Sequence, residues 1–414
     1  MNINFHYFTI KTLAMLAGFS DNQAQQIAQY SQFVDDFSAP PTMACSNIPK
    51  EIMKSDTLDL YISSPRGNFW PVSTGFTNPF EYATLIVRRE QRFVLSPFHF
   101  APFDKKGGGI TDARVVPLEY GDGSLVDRLL QREILRYRYM NDETLRLPDK
   151  AIYQESNFDP HITDPHITDQ NITLMRMGML LHTFADTYAH QMFTGFVSPV
   201  NRVNITQVRN NITGEDTTAP AHAGIRGLFE RAASSIPPIG HVQAGSNPDL
   251  SHVGFGFIYD AVADGYDGEG VYFRDNTEVF LEAALQVFRY LSRCQENTLT
   301  DTNNNIHDNP SIDTVVDNHI WDENKKKLRQ GLLVEMPRRD TARGLAWHWG
   351  QIFPMINYHY DGSAISRGFR LAPTSISQMT RSGFTAFSDE FYGYNIMANE
   401  MLIELYGPRP RIHM

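Results

Sequence analysis

The sequence feature that most constrains the fold is a spacing of four between polar residues in an otherwise apolar stretch, MLLHTFADTYAHQMFTGF. His182, Asp186 and His190 lie four positions apart, and on an α-helix such positions share one face. The apolar periodicity predicts a helix over residues 170–195. Buried polar side chains need hydrogen-bond partners or a metal ion, so the rest of the chain must fold to provide one or the other.

The same spacing limits how these residues can bind a metal. Two residues one helical turn apart can bind a single ion, but the rise from His182 to His190 is roughly 12 Å. We therefore expect the two histidines to bind different ions, with the Asp186 carboxylate between them. Two or more ions close together suit phosphoester hydrolysis, because they can stabilise both the attacking and the leaving oxygen. A buried hydrogen-bond network without metal is the alternative.

Apolar periodicity and capping signals predict further helices. A first apolar run over residues 6–17 ends at Gly18. The pattern Ser20-Asp-Asn-Gln23 is typical of a capping box and opens a second helix that continues to about Asp36. The remaining predicted helices cover residues 123–141, 221–234, 276–296 and 388–406.

Length and composition favour a mostly α-helical fold with long irregular loops. We expect a helical metal-binding catalytic core over residues 1–260, with residues 261–414 as its continuation or as a small C-terminal annex. The net charge of −11 argues against a nucleic-acid partner, since an acidic surface repels phosphates. Cys45 and Cys294 are the only cysteines, so any metal must be bound by nitrogen and oxygen.

Isolated histidines and aspartates elsewhere strengthen the metal interpretation. His6 and His99 lie between aromatic residues, where an unpaired histidine is costly. Asp35 and Asp36 close the second predicted helix, where the helix dipole disfavours acidic residues unless a cation is near. His241 follows a tight Pro-Pro-Ile-Gly loop and precedes an aspartate. Each of these histidines alone is more often a core residue, but their joint occurrence with the helical triplet favours a metal site.

The order of these motifs resembles that of a known bacterial family. FHYFTIKTLAMLAGFS, YSQFVDD, PFHF, LLHTFADTYAHQMFTGF and IGHVQAG look like the zinc-dependent phospholipases C that include Legionella-type secreted or translocated effectors, over roughly residues 4–250. More distantly, the chain is similar to the helical zinc phospholipase C and P1 nuclease group. That group places its last helical histidine further along than His190 and uses an amino-terminal tryptophan as a ligand, which this chain does not have.

The resemblance implies a fold, a cofactor and an activity. It implies a helical zinc-phospholipase-C-like domain with two or three zinc ions, which lower the pKa of water towards about 7. It also implies that Asp35 or Asp36 acts as general base, and that glycerophospholipids such as phosphatidylcholine are cleaved at a membrane surface to diacylglycerol and a phosphorylated head group. The ligands that it implies are His6, Asp35 or Asp36, His99, His182, Asp186, His190 and His241.

Localisation and the C-terminal part are less constrained. No stretch is long enough for a transmembrane helix, and the N-terminus lacks the basic start and cleavage site of a signal peptide. Export would therefore use a signal-independent route, and a cytoplasmic location is the alternative. His348 and His359, flanked by aromatics that include Trp347 and Trp349, suit a choline cage, a lipid-facing surface or ordinary core.

Two other functions stay open at this point. One is a metal-dependent phosphodiesterase or nuclease of similar architecture that acts on a soluble substrate. The other is a non-catalytic helical binding protein whose histidines are structural, which predicts no stoichiometric metal.

Overall fold

The protein is mostly α-helical, with two small antiparallel sheets, in the parts of the chain that the structure describes. The structure is a computed structural model. It describes residues 1–40, 42–49, 67–75, 94–101, 114–141, 170–218, 238–259, 271–295, 315–335, 341–370 and 385–406.

Six of the seven predicted helices are present among the described residues, and the helices at residues 96–99, 315–332, 341–352 and 362–368 lie outside the predicted ranges. A π-helical segment, Asn4–Thr9, continues directly into α1, which is Ile10–Leu16. The other helices are α2 (Asp21–Asp36), α3 (Ser96–His99), α4 (Leu125–Asn141), α5 (Gln170–Ala189), α6 (Asn276–Gln295), α7 (Val315–Leu332), α8 (Thr341–Ile352), α9 (Gly362–Gly368) and α10 (Asp389–Tyr406).

The strands form two separate sheets. The short strands β1 (Met43–Cys45) and β2 (Gly67–Phe69) pair with each other. The larger sheet has the order β4-β3-β5-β6 with every neighbour antiparallel, and its aromatic side chains pack against Phe193, just beyond the end of α5. Its strands are β3 (Val203–Asn210), β4 (Asp216–Thr218), β5 (Val253–Tyr259) and β6 (Tyr272–Asp275).

Local features explain where α2 begins and where α5 ends. The Ser20 hydroxyl accepts from the Gln23 N–H, while the Gln23 side chain accepts from the Ser20 N–H, so the predicted capping box is confirmed. Helix α5 ends at Ala189, six residues before the predicted end, because the chain turns sharply at Met192, whose φ is +75°. The predicted helix 221–234 and the tandem DPHITDPHITD at 159–169 lie outside the described residues.

Close contact between α2 and α5 sets the geometry of the interior. A Cβ atom at Gly178 would lie 2.3 Å from the Ile27 carbonyl oxygen, so only glycine lets the two backbones approach this closely. The approach places the C-terminal end of α2, which carries Asp35, beside the polar face of α5. Helix α5 therefore packs against α2 through Gly178 and also carries a face of polar side chains.

Side chains from both sides of residue 260 share one hydrophobic core. This core includes Phe8 of the π-helical segment, Leu181 of α5, Phe280 of α6 and Trp349 of α8. The Trp349 indole N–H donates to the Asn4 amide oxygen at 2.7 Å, which satisfies the one polar atom of a fully buried ring. Helix α8, from the second half of the chain, thus packs directly against the π-helical segment.

A second buried feature is a network of charged residues between α4, α5 and α10. Arg176 of α5 is 1% exposed, and its guanidinium lies 3.1 Å from a Glu400 carboxylate oxygen of α10. Glu133 of α4, which is 0% exposed, pairs with Arg136 at 2.8 Å. Because charges this deeply buried are tolerated only when they are paired, the network fixes the position of α10 against α5.

Candidate metal centre

The polar face of α5 is the centre of the candidate site. His182 and Asp186 lie on the helix, and both are at most 1% exposed. His190 lies one residue beyond the end of α5, but its backbone N–H still donates to the Asp186 carbonyl oxygen at 2.8 Å. The helical turn is therefore continued to His190, and all three side chains point to the same side of α5.

A first group of possible ligands joins α5 to the π-helical segment. His6 Nε2 lies 3.1 Å from Asp186 Oδ1, and His182 Nε2 lies 3.2 Å from Asp186 Oδ2. The His6 and His182 rings stack with their centroids 3.8 Å apart. One donor atom from each of these three residues lies within 4.8 Å of the others, so they can bind one ion together.

A second group shares His182 and adds residues from α2 and α3. His99 Nδ1 lies 3.2 Å from His182 Nε2 and 3.7 Å from Asp35 Oδ1. The same Asp35 oxygen is 3.8 Å from His182 Nε2. Asp186 Oδ2 is also close, at 3.1 Å from His99 Nδ1. Because the first two groups overlap, Asp186 can bridge them.

A third group lies beyond the end of α5. His190 Nε2 is 3.1 Å from Asp249 Oδ1, and His241 Nε2 is 3.3 Å from Asp249 Oδ2. The rings of His190 and His241 stack at 4.8 Å, and Phe100 stacks on His190 at 4.4 Å. His182 and His190 therefore belong to different groups, on either side of Asp186.

The loop that carries His241 and Asp249 is held against the end of α5 by one buried arginine. The Arg274 guanidinium donates to the carbonyl oxygens of Ala189 at 2.7 Å and Pro248 at 2.9 Å. A cation at a helix C-terminus satisfies carbonyls that have no partner within the helix. Since Pro248 lies next to Asp249, this contact fixes the third group relative to the first two.

Three histidines each donate one ring N–H to a backbone carbonyl. His99 Nε2 donates to the Thr74 oxygen at 2.7 Å, and His241 Nδ1 donates to the Gly245 oxygen at 2.9 Å. His190 Nδ1 donates to the carbonyl of His99 itself. In the neutral ring the other nitrogen then carries a lone pair. In each case the second nitrogen lies 3.1–3.3 Å from a carboxylate oxygen, so either a proton on the ring or a bound metal ion must lie between the two atoms.

The donor set and its spacing fit zinc. Tetrahedral zinc with ligands at about 2.0–2.1 Å has ligand atoms roughly 3.3–3.4 Å apart, and the closest donor pairs in the three groups lie 3.1–3.3 Å apart. Histidine nitrogen with carboxylate oxygen is a ligand combination that zinc accepts. His6 Nδ1 and His182 Nδ1 have no hydrogen-bond partner among the described residues, so no backbone carbonyl fixes their tautomers as it does for the other three histidines.

The protonation states of His6, His182 and Asp186 are those of metal ligands, whereas for His99 burial lowers the pKa but the contacts with Asp186 outweigh burial and raise it. Burial lowers the pKa of His182 to about 4 and that of His6 well below its usual value, so both rings are neutral at pH 7. Burial disfavours the charged form of Asp186, but His190, the Met1 amine and the other histidines outweigh it and hold the pKa of Asp186 well below its ordinary range. Neutral imidazole and ionised carboxylate are the forms that bind zinc.

A positive charge lies between the groups. The amino group of Met1 contacts Asp186 Oδ1 and lies 3.3 Å from Asp249 Oδ1. Although burial disfavours the charged amine, the two aspartates raise its pKa. Asp186 and Asp249 are thus both in contact with one cation, which places the third group next to the first.

The carboxylates of the site differ in their exposure to solvent. The Asp186 side chain is 1% exposed, whereas Asp35 is 29% and Asp249 is 23% exposed. Burial and the neighbouring carboxylates raise the pKa of Asp35 to about 7, against the opposing effect of His99. Asp35 and Asp249 are therefore the two carboxylates that solvent reaches.

Seven of the eight predicted site residues belong to these groups, and one does not. The exception is Asp36, whose carboxylate accepts from the Tyr360 hydroxyl and lies 3.4 Å from the Gln32 amide nitrogen. Sequence reasoning did not include Asp249 among the site residues, although its position eight residues after His241 in the same loop was the available signal. The residues that do belong are His6, Asp35, His99, His182, Asp186, His190 and His241.

The two C-terminal tryptophans do not share a surface. Trp347 is 70% exposed, whereas Trp349 is completely buried. His348 Nε2 donates to the Gln330 carbonyl at 3.1 Å, which ties α8 to α7. Trp347 and Trp349 therefore cannot form two walls of one choline cage.

A protein-family model covers most of the chain. The model of a family of unknown function, DUF6765, matches residues 1–366 of the chain. No solved structure matches the chain. Among the described helices, none is both long and apolar enough to cross a membrane.

Proposed function

The chain belongs to the DUF6765 family, and we propose that it is a zinc-dependent phosphoester hydrolase of the phospholipase C type. Its substrates would be glycerophospholipids such as phosphatidylcholine, and its products diacylglycerol and a phosphorylated head group. The proposal has two parts, a zinc site and a substrate class, which rest on different observations.

The observation that carries the zinc site is the orientation of three histidines. His99, His190 and His241 each donate one ring N–H to a backbone carbonyl and direct the other nitrogen at carboxylates or histidines. This pattern fixes the tautomer and the ring orientation that a metal needs. A binding protein without metal would instead need protonated rings that donate to the neighbouring carboxylates, and measurement of the metal content distinguishes the two cases.

The substrate class rests on the order of the sequence motifs and on the number of groups. Adjacent metal groups suit a phosphate ester, because zinc supplies Lewis acidity that lowers the pKa of water and neutralises phosphate oxygens. His6, His182 and Asp186 would hold one ion, and Asp35 with His99 would contribute to the adjacent one.

Metal content and hydrolysis together test the proposal. We expect purified protein to contain two or three zinc ions by mass spectrometry, and to release phosphorylcholine from phosphatidylcholine vesicles in a chelator-sensitive way. Cleavage of single-stranded DNA instead of lipid would indicate the nuclease alternative. Protein that stays free of metal after incubation with zinc would contradict the whole proposal.

Zinc should also stabilise the fold, because its ligands come from segments far apart in the sequence. At a free zinc concentration of about 100 times the dissociation constant, one site contributes about 2.7 kcal/mol. For a chain of this size we expect the unfolding temperature to rise by roughly 3 °C. Magnesium, which prefers six oxygen ligands, is the control. Equal unfolding temperatures with zinc and with chelator would contradict a site that joins these segments.

A further inference from the structure

A short C-terminal segment lies against the helices that carry the metal groups. We call residues 357–362 the strap. The Tyr358 hydroxyl lies 2.6 Å from the Thr12 hydroxyl of α1, and the His359 N–H donates to the Tyr7 hydroxyl at 2.8 Å. The strap is thus fixed to the helical region that contains His6, although more than 300 residues separate them in sequence.

The strap reaches the end of α2 through Tyr360. The Tyr360 hydroxyl donates to Asp36 Oδ2, and its ring packs on Tyr7 with centroids 5.2 Å apart. A Cβ atom at Gly362 would lie 2.7 Å from the Tyr360 hydroxyl and 2.9 Å from Asp36 Oδ2. Glycine at this position therefore leaves the space in which the tyrosine and the aspartate meet.

From Asp36 the contacts continue to a metal-facing carboxylate. Gln32 Nε2 lies 3.4 Å from Asp36 Oδ1 and 3.3 Å from Asp35 Oδ2. An amide nitrogen has two hydrogens, so it can donate to both carboxylates. The remaining oxygen of Asp35 is the one that faces His99 and His182.

We propose that Tyr360, Asp36 and Gln32 form a relay of positioning residues that orients Asp35 towards the metal. The inference rests on the proposed zinc site, and it assigns Asp36 a place behind a ligand instead of a place in the ligand set. Both oxygens of Asp36 are engaged by the relay, whereas Asp35 keeps one oxygen directed into the site. Hydrogen bonds behind a metal ligand fix its orientation, and their loss typically weakens metal binding by about 10- to 100-fold.

The test is zinc affinity, measured by competition with a chromophoric chelator. Tyr360→Phe keeps the ring that packs on Tyr7 but removes the hydroxyl, and we expect zinc binding roughly 10-fold weaker than in wild type. Gly362→Ala should weaken zinc binding in the same direction, because its Cβ displaces the Tyr360–Asp36 pair. Tyr358→Phe is the matched control: it removes a hydroxyl from the same strap that contacts Thr12 and should leave zinc affinity unchanged.

The zinc affinities test the relay independently of the enzymatic activity. Wild-type zinc affinity in both Tyr360→Phe and Gly362→Ala overturns the relay, and so does an equal loss in Tyr358→Phe, which would indicate general loosening of the strap. If wild-type protein binds zinc but cleaves no lipid, the proposed substrate class is wrong. The zinc affinities of the variants would still test the relay. If wild-type protein binds no zinc, the relay and the proposed function fail together.

Discussion

Replacement of Asp186 by asparagine should abolish most phosphoester hydrolysis and remove at least one zinc ion per chain. Asp186 contacts the Met1 amine, His6, His99 and His182, so it lies at the junction of the groups. Asparagine has the same shape but no charge, and it would present an amide where a ligand needs an anion. If metal-assisted stabilisation of the transition state falls by roughly 3–4 kcal/mol, the rate falls by roughly 100- to 1000-fold.

Zinc content and the hydrolysis rate should be measured on the same preparations. Asp216→Asn is the matched control, because Asp216 is exposed on β4, belongs to none of the three groups and undergoes the same chemical change. Circular dichroism of Asp186→Asn, before and after addition of zinc, separates loss of metal from loss of fold. An Asp186→Asn protein with wild-type zinc content and wild-type rate would show that Asp186 is not a ligand.

The helices could be predicted because their signals are local. Periodicity predicted both ends of α2, α4, α6 and α10 to within two residues. The capping box at Ser20 is also present as predicted. The end of α5 was wrong, because apolar residues continue beyond Ala189 into a turn that packs against the sheet. Apolar periodicity cannot distinguish a helix from an irregular segment that is buried for another reason.

The candidate site was predictable where one element carried several of its residues. His182, Asp186 and His190 have the spacing of a helical face, whereas His6, His99 and His241 were single residues supported by their setting and by the resemblance. The resemblance left Asp35 and Asp36 as alternatives. In the structure the two aspartates have different surroundings. Asp35 directs a carboxylate oxygen at His99, whereas the Asp36 carboxylate accepts a hydrogen bond from the Tyr360 hydroxyl.

What the sequence could not provide is the set of contacts between distant segments. Tyr360 meets Asp36 across 324 positions, and Met1 meets Asp186 across 185. No periodicity or spacing predicts such pairs. Arg274 is a further example, because its role in joining Pro248 to the end of α5 depends entirely on how β6 is placed. These residues hold the groups together, and only the folded chain identifies them.

The packing that creates the site also creates the buried charges on the other side of α5. Helix α5 carries Asp186 towards the metal groups and Arg176 towards α4 and α10. Since α5 is buried on all sides, each of its polar residues needs a partner from a neighbouring helix. A defect in the charged network should therefore reduce stability without directly changing a ligand.

Replacement of Arg176 by methionine should destabilise the protein by about 3–5 kcal/mol, because it leaves a buried carboxylate without its partner. Glu400 is 2% exposed, and within the described residues Arg176 is its only ion-pair partner within 4.0 Å. Glu133 would keep its ion pair with Arg136 at 2.8 Å, so the carboxylate that loses its partner is mainly that of Glu400. Urea denaturation with and without zinc should show the decrease in both conditions, since the network lies away from the ligands.

The matched control is the double variant Arg176→Met with Glu400→Gln. Replacing both charges removes the unpaired carboxylate, and replacement of a buried ion pair by neutral residues is often close to neutral in stability. We therefore expect the double variant to recover most of the free energy of unfolding that the single variant loses. A double variant as unstable as Arg176→Met would mean that the loss comes from packing of the long arginine side chain and not from the charge of Glu400. The stability of α10 against α5 would then depend on shape alone, and the buried charges would not be what fixes this helix.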